Sequence, residues 1–251
     1  MNGGRLWYVW GALGWHDIRQ RYRRSKLGPF WLTISLGVMI GALSGLYAGL
    51  FKVDGTRYLP HVAIGFVVWS FISGLINEGC NAFIDGQGSI KQVRLPMSVY
   101  VYRVVWRNLI ILSHNFMIIV AVVLLFGIRP GWTALLAVPA IGVLCLNGVW
   151  AGLLLGLVSA RFRDVPLIIM NAMQIVFFMT PIIWQPELLS SSALVVTFNP
   201  FFHAIELVRA PLMGTAPPLL SWLAVFAATL AGTALAFTLY VRYRCRITYW
   251  V

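Results

Sequence analysis

The chain has 251 residues, 60% of them hydrophobic and 10% charged, and a formal net charge of +12. Soluble domains carry roughly 25% charged residues, so the composition excludes an ordinary water-soluble globule and fits a polytopic membrane protein. Most of the positive excess sits in short connecting segments, where topogenesis and anionic lipid headgroups account for it without nucleic acid.

Residues 5 to 26 read as an N-terminal amphipathic helix lying in the membrane interface. Trp7, Gly11, Trp15, Ile18 and Tyr22 fall on one face, and His16, Gln20 and Arg23 on another. Tryptophan-rich apolar surface beside arginine favours the headgroup plane. Leu6 to Trp15 lacks a small-x-small cleavage site and leads straight into basic residues, so it is expected to be retained. Gly28-Pro29 breaks the helix and turns the chain into the uncharged run Phe30 to Phe51. Its 22 residues reach ~33 Å at ~1.5 Å each, enough to cross a ~30 Å hydrocarbon core. Along it Gly37, Gly41, Gly45 and Gly49 recur every fourth residue and leave one flat face. Such a face serves ordinary helix packing, a transport path or the joining of two copies.

Asp54-Gly55 marks a turn, and a second span follows over about 60–77. The segment 78–107 reads as the longest cationic loop, holding Lys91, Arg94, Arg103 and Arg107. A third span is expected over about 108–128 and a fourth over about 132–159, the latter with a second small-residue face at Gly148, Gly152 and Gly156. Arg161-Phe-Arg-Asp164 and Val165-Pro166 make a tight charged turn into a fifth span, about 165–184. Proline and Asn199-Pro200 break up 185–218, whose middle, Phe201 to Met213, is too short to span. Two short re-entrant outer helices are expected there. A sixth span over about 219–241 and a basic tail (Arg242, Arg244, Arg246) complete a single all-α transmembrane domain over 1–251.

Six spans place both termini on one side. With that side cytoplasmic, it takes 15 of the 19 Lys and Arg: six up to Lys26, four over 78–107, two over 159–166 and three in the tail. This is the bias that positive-inside topology demands.

The chain holds no Gly-x-Ser-x-Gly, His-Glu-x-x-His or Gly-x-x-x-x-Gly-Lys-Ser/Thr pattern, so the phosphate loop of an ATPase is missing. The spans contain no paired carboxylates of the kind ion-coupled transport uses. His114 beside Asn115 reads as a hydrogen-bonded packing residue. Cys80, Cys145 and Cys245 have neither the spacing nor the histidine neighbours of a metal site. The outer end is rich in aromatics (Tyr47, Phe51, Phe177, Phe178, Trp184, Phe198, Phe201 and Phe202). They serve either as an interfacial belt or as flat faces for sugar rings. Glu206 and Arg209 are spaced to pair on one helix face.

Asp17-Ile-x-x-Arg-Tyr-Arg-Arg-Ser-x-Leu-Gly-Pro-x-Trp31 resembles the N-terminal signature of permease subunits of polysaccharide exporters in the type 2 ABC transporter family. Ile90-Lys-Gln-Val-Arg-Leu-Pro96, Arg161-Phe-Arg-Asp164, and Thr180-Pro181 followed by Asn199-Pro200 and Arg209 agree with it in order. The resemblance covers essentially the whole chain. It implies a homodimer in the bacterial inner membrane, paired with two copies of a separate ATPase that binds ATP and Mg, with no cofactor in this chain. The implied substrate is a polyprenyl-pyrophosphate-linked glycan of the O-antigen type. It further implies that residues 5–26 and the loop of about 83–96, with Ile90, Lys91, Arg94 and Pro96, meet the ATPase. Met97-Ser98 stands where many relatives carry charged residues. The first and fifth spans would line the channel, placing Gly37, Gly41, Gly45 and Tyr47 opposite Phe177, Phe178 and Trp184. Arg19, Arg21, Arg23 and Arg24 are then candidates to attract the pyrophosphate head. A related permease for teichoic acid, capsule, lipid or drug stays open, as does a membrane enzyme acting on lipid-linked sugars.

Overall fold

Apolar runs of this length can satisfy their backbone in a bilayer as helices, and the described residues form helices, turns and no strand. The computed structural model describes residues 3–23, 28, 30–51, 54–93, 95–186 and 193–251. After a 3-10 turn at Gly3–Leu6, the helices are α1 (Trp7–Tyr22), α2 (Phe30–Phe51), α3 (Gly55–Cys80), α4 (Gln87–Gln92) and α5 (Ser98–Leu125). They continue as α6 (Ala137–Arg161), α7 (Val165–Met179), α8 (Ala193–Phe198), α9 (Pro200–Leu212), α10 (Leu219–Tyr243) and α11 (Ile247–Trp250).

Five segments are long and apolar enough to cross a membrane: Phe30–Leu50, Gly55–Cys80, Ser98–Leu125, Gly131–Arg161 and Leu219–Trp250. The expected fifth span is shorter than the other five. Helix α7 has 15 residues, which reach ~22 Å of the ~30 Å required. It ends because Thr180 precedes Pro181, a position that disfavours helical backbone, and the chain continues to Pro186 in turns. The second and third spans also differ from expectation. Helix α3 starts at Gly55, where the Asp54 carboxylate accepts from the Thr56 N–H at 3.0 Å and caps it. Helix α5 begins at Ser98, so Arg103 and Arg107 lie inside a helix and not in a loop.

Helix α3 is the central column. Its residues from Val62 to Trp69 are all buried, and it packs against α2, α5, α6, α7 and α9. The small-residue face of α6 lies against it and α5. A Cβ on Gly148 would meet Leu75 at 2.9 Å, one on Gly152 would meet Val101 at 2.8 Å, and one on Gly156 would meet the Gly79 carbonyl at 3.0 Å. The two expected short helices are α8 and α9. Helix α9 is buried over Leu207 to Leu212 and opens with the Asn199 side chain accepting from the Phe201 and Phe202 N–H groups.

The basic tail is not a loose end. It turns through Arg244–Arg246 into α11, which carries Ile247 and Val251 into a second buried cluster with Phe83, Ile90, Tyr100 and Leu157, separate from the main core.

Candidate functional site

Helices α2, α3 and α7 border an open groove of about 560 Å³. Helix α2 supplies Leu36, Met39, Leu43 and Tyr47; α3 supplies Phe66, Trp69, Ser70, Ser73 and Asn77; α7 supplies Met170, Met173, Gln174, Phe177 and Phe178. Tyr47, Phe177 and Phe178, expected on the path, therefore meet in one groove. Phe177 is the hub of its wall, with ring centroids 5.3 Å from Phe66, 5.6 Å from Trp69 and 5.2 Å from Phe178. Phe66 and Trp69 were not singled out in the sequence, because the second span reads there as uniformly apolar. Polar groups line the wall towards Asn77. Ser70 donates to the Val67 carbonyl and Ser73 to that of Ser70. The buried Asn77 Oδ1 has no hydrogen-bond partner among the described residues. Trp184 does not line the groove; its indole N–H donates to the Phe178 carbonyl at 3.1 Å.

The glycines face elsewhere. Gly41 and Gly45 lie roughly 120–160° around α2 from Leu43 and Tyr47. A Cβ on Gly41, Gly45 or Gly49 would meet no described atom within 4 Å, whereas one on Gly37 would touch Ile118 of α5 at 3.9 Å. Three of the four thus form an open stripe on the outside of the protomer.

At one end of α3 an ion network gathers five charged groups. Asp17 on α1 is held by both Arg103 and Arg107 of α5, the latter at 3.0 Å. Arg107 also bonds Glu78 of α3 at 2.8 Å, and Glu78 accepts from the Asn108 amide at 2.7 Å and from Arg21 at 3.2 Å. Arg107 is 8% exposed, and buried charge persists only when paired in this way. These pairs turn α1 about its axis. Trp10, Gly14 and Ile18 pack towards α5, with Trp10 against Tyr102 and Trp106, while Trp7 and Trp15 stay exposed. The expected apolar face is correspondingly rotated. Arg21 is committed to Glu78, Arg19 and Arg23 are exposed, and Arg24 lies outside the described residues.

Of the residues expected to meet the ATPase, Ile90 is buried, Lys91 is exposed, Pro96 is half-buried and Arg94 lies outside the described residues.

At the opposite end of α3, Arg209 is 3% exposed. It pairs with Glu206 at 3.0 Å, as its spacing predicts, approaches His61 Nε2 of α3 at 2.9 Å and donates to the Pro181 carbonyl at 3.0 Å. Tyr58 donates to the Ile183 carbonyl and Asn199 to the Thr180 hydroxyl. Three side chains thus pin the segment that follows α7. Gly65 makes this possible, since a Cβ there would press on Ile182 at 3.3 Å. The His114 ring nitrogen meets the Ile110 carbonyl one turn back, and its ring packs on Phe30.

The sequence matches the family model described as ABC-2 type transporter over residues 8–213. It is similar to the O-antigen export system permease protein RfbA of Myxococcus xanthus, 26% identical over 206 residues that cover 77% of this chain and 76% of that protein. It is also similar to the O-antigen export system permease protein RfbA of Klebsiella pneumoniae, 21% identical over 193 residues that cover 75% of this chain and 74% of that one. The family match runs from α1 through α9 and takes in the groove, the ion network and Arg209. A multi-pass helical protein matched over that extent is a permease subunit, and the chain belongs to the ABC-2 type transporter family.

Proposed function

We propose that this permease carries a polyprenyl-pyrophosphate-linked polysaccharide of the O-antigen type across the bacterial inner membrane, driven by a separate ATPase. The aromatic groove between α2, α3 and α7 carries the reading. Flat rings offer sugar faces broad contact with few fixed hydrogen bonds, and Ser70, Ser73 and Asn77 add polar residues to the same wall. The names of the two relatives point to the same class of cargo. Two protomers meet with their α2 and α7 sides facing, so that two grooves form one channel and the open stripe of Gly41, Gly45 and Gly49 is covered.

The Asp17 end is cytoplasmic, as are both termini. Two copies of the ATPase contact α1 and the loop with Ile90, Lys91, Arg94 and Pro96. Closure of the ATP-bound pair shifts α1, and the Asp17–Arg107–Glu78 bridge passes that shift to α3 and α5. The half of α3 that carries Glu78, from Phe66 to Asn77, is also a groove wall. Arg19 and Arg23, exposed beside this bridge, attract the pyrophosphate head; Arg21 contributes less because Glu78 holds it.

The test is affinity purification of the tagged chain from native membranes, followed by mass spectrometry of bound proteins and glycolipids. An ATPase together with polyprenyl-pyrophosphate glycan is the expected result. An ATPase with lipid or teichoic acid instead would overturn the substrate, and neither one in a folded preparation would overturn the driver as well. In the matching export assay, Arg19→Gln with Arg23→Gln slows export at unchanged expression; unchanged export removes them from the mechanism.

A further inference from the structure

The turn Arg161-Phe-Arg-Asp164 has no part in the groove, the ion network or the Arg209 cluster. Its two arginines instead hold the last helix. The Arg161 guanidinium sits 5.4 Å from the centroid of the Trp250 ring, and Arg163 donates to the Trp250 carbonyl at 3.3 Å. On its other side α11 is inserted into the protein: Ile247 is 0% exposed and Val251 8%. Both belong to the buried cluster that contains Ile90.

Ile90 is the one buried residue of α4; Gln87, Gly88, Ser89, Lys91 and Gln92 are exposed. A helix of six residues has no stability of its own. Its position therefore follows from the seat of Ile90, and Ile247 and Val251 help to build that seat. Gly86 lets the loop lie close on Tyr100, whose ring a Cβ would meet at 2.7 Å.

We propose that residues 247–251 are a brace that sets the position of α4, with Arg161 and Arg163 as its clamps. These are positioning residues, acting through Ile90 and not by touching the ATPase. The proposal rests on the reading of the α4 loop as an ATPase contact. With the brace loosened, the loop keeps its sequence and exposed surface but loses its place. ATP hydrolysis and export then come apart.

The experiment uses the full permease–ATPase complex in proteoliposomes. Lys91→Cys, in a Cys245→Ser background that removes the exposed thiol, is cross-linked to the ATPase, and ATP consumed per glycan exported is measured in parallel. Trp250→Ala and Ile247→Asp lower the cross-link yield roughly threefold or more, the scale expected when a cation–π clamp is lost, and raise ATP consumed per glycan. Trp250→Phe, which keeps an aromatic face for Arg161, restores both. If Ile247→Asp fails to fold, Trp250→Ala and Arg161→Gln, which leave Ile247 and Val251 in place, carry the test. Parental cross-linking and coupling in folded variants would overturn the brace. Absence of any cross-link from Lys91→Cys in the parent would overturn the ATPase-contact reading beneath it.

Discussion

Arg209 is the side chain on which most depends at one end of the molecule, since it joins α9 to α3 and to the backbone just after α7. Arg209→Gln leaves Glu206 without its cation and the Pro181 carbonyl without its donor, and breaking a buried pair costs about 3 kcal/mol. Thermal unfolding of the detergent-solubilised protein should register the loss. Adding Glu206→Gln should return part of it, because the stranded carboxylate is then removed. Asp54 behaves differently. Its carboxyl titrates below the ordinary carboxylate range, first because the Thr56 N–H donates to it and then because the Thr56 hydroxyl does. An acid whose folded pKa is lowered contributes stability above its unfolded pKa of ~4 and loses it as pH falls through the folded value. The wild type should therefore lose its Tm advantage over Asp54→Asn, which keeps a capping acceptor but does not titrate, as pH falls below ~4.

Two glycine stripes of the same spacing do different work, and this is visible only once helices are packed. On α6 the stripe is filled by Leu75, Val101 and Gly79, so Gly148→Leu or Gly152→Leu should destabilise the protein by about 1–3 kcal/mol through overpacking. On α2 the stripe is open, and Gly41→Leu with Gly45→Leu should leave the Tm of the protomer level or raise it slightly, helix propensity favouring the change by up to ~1 kcal/mol per site. The same pair should lower the dimer fraction seen by cross-linking and slow export. An unchanged dimer would place the interface on another face.

The run Phe30 to Phe51 was legible from end to end, because Gly28 and the absence of charge mark its limits. The start of α5 was not. Arg103 and Arg107 look like loop residues until Asp17 and Glu78 neutralise them, and those partners stand 86 and 29 positions away in sequence. Phe177 was legible as an aromatic near one end, but the Phe66 and Trp69 rings that make it a wall were hidden in an apolar run with no periodic mark. The docking of α11 was obscured by the three arginines that precede it.

For the molecule as a whole, the proposed topology makes a direct prediction. Cys245 is exposed and on that topology would lie on the cytoplasmic side, so a membrane-impermeant maleimide should label it in inverted vesicles and not in intact spheroplasts. Thr215→Cys, in the exposed turn after α9 and in a Cys245→Ser background, should show the reverse. Labelling of both from one side would show that α10 does not cross the membrane.

The two separate buried clusters also give the protein an uneven resistance to opening. The main core spans α3, α5, α6 and α9, whereas the lesser cluster is a shallow assembly of α4, α11 and the neighbouring ends of α5 and α6. Opening free energy scales with the buried contacts that must be given up, and segments resting on few of them exchange first. Amide hydrogen exchange in a membrane mimetic should therefore find residues 83–93 and 247–250 turning over well before 62–75 of α3. Ile247→Asp should hasten exchange in 83–93 while leaving α3 unchanged. A single cooperative exchange rate across both regions would show that the lesser cluster has no independent give. The groove would then rest on a base as stiff as itself.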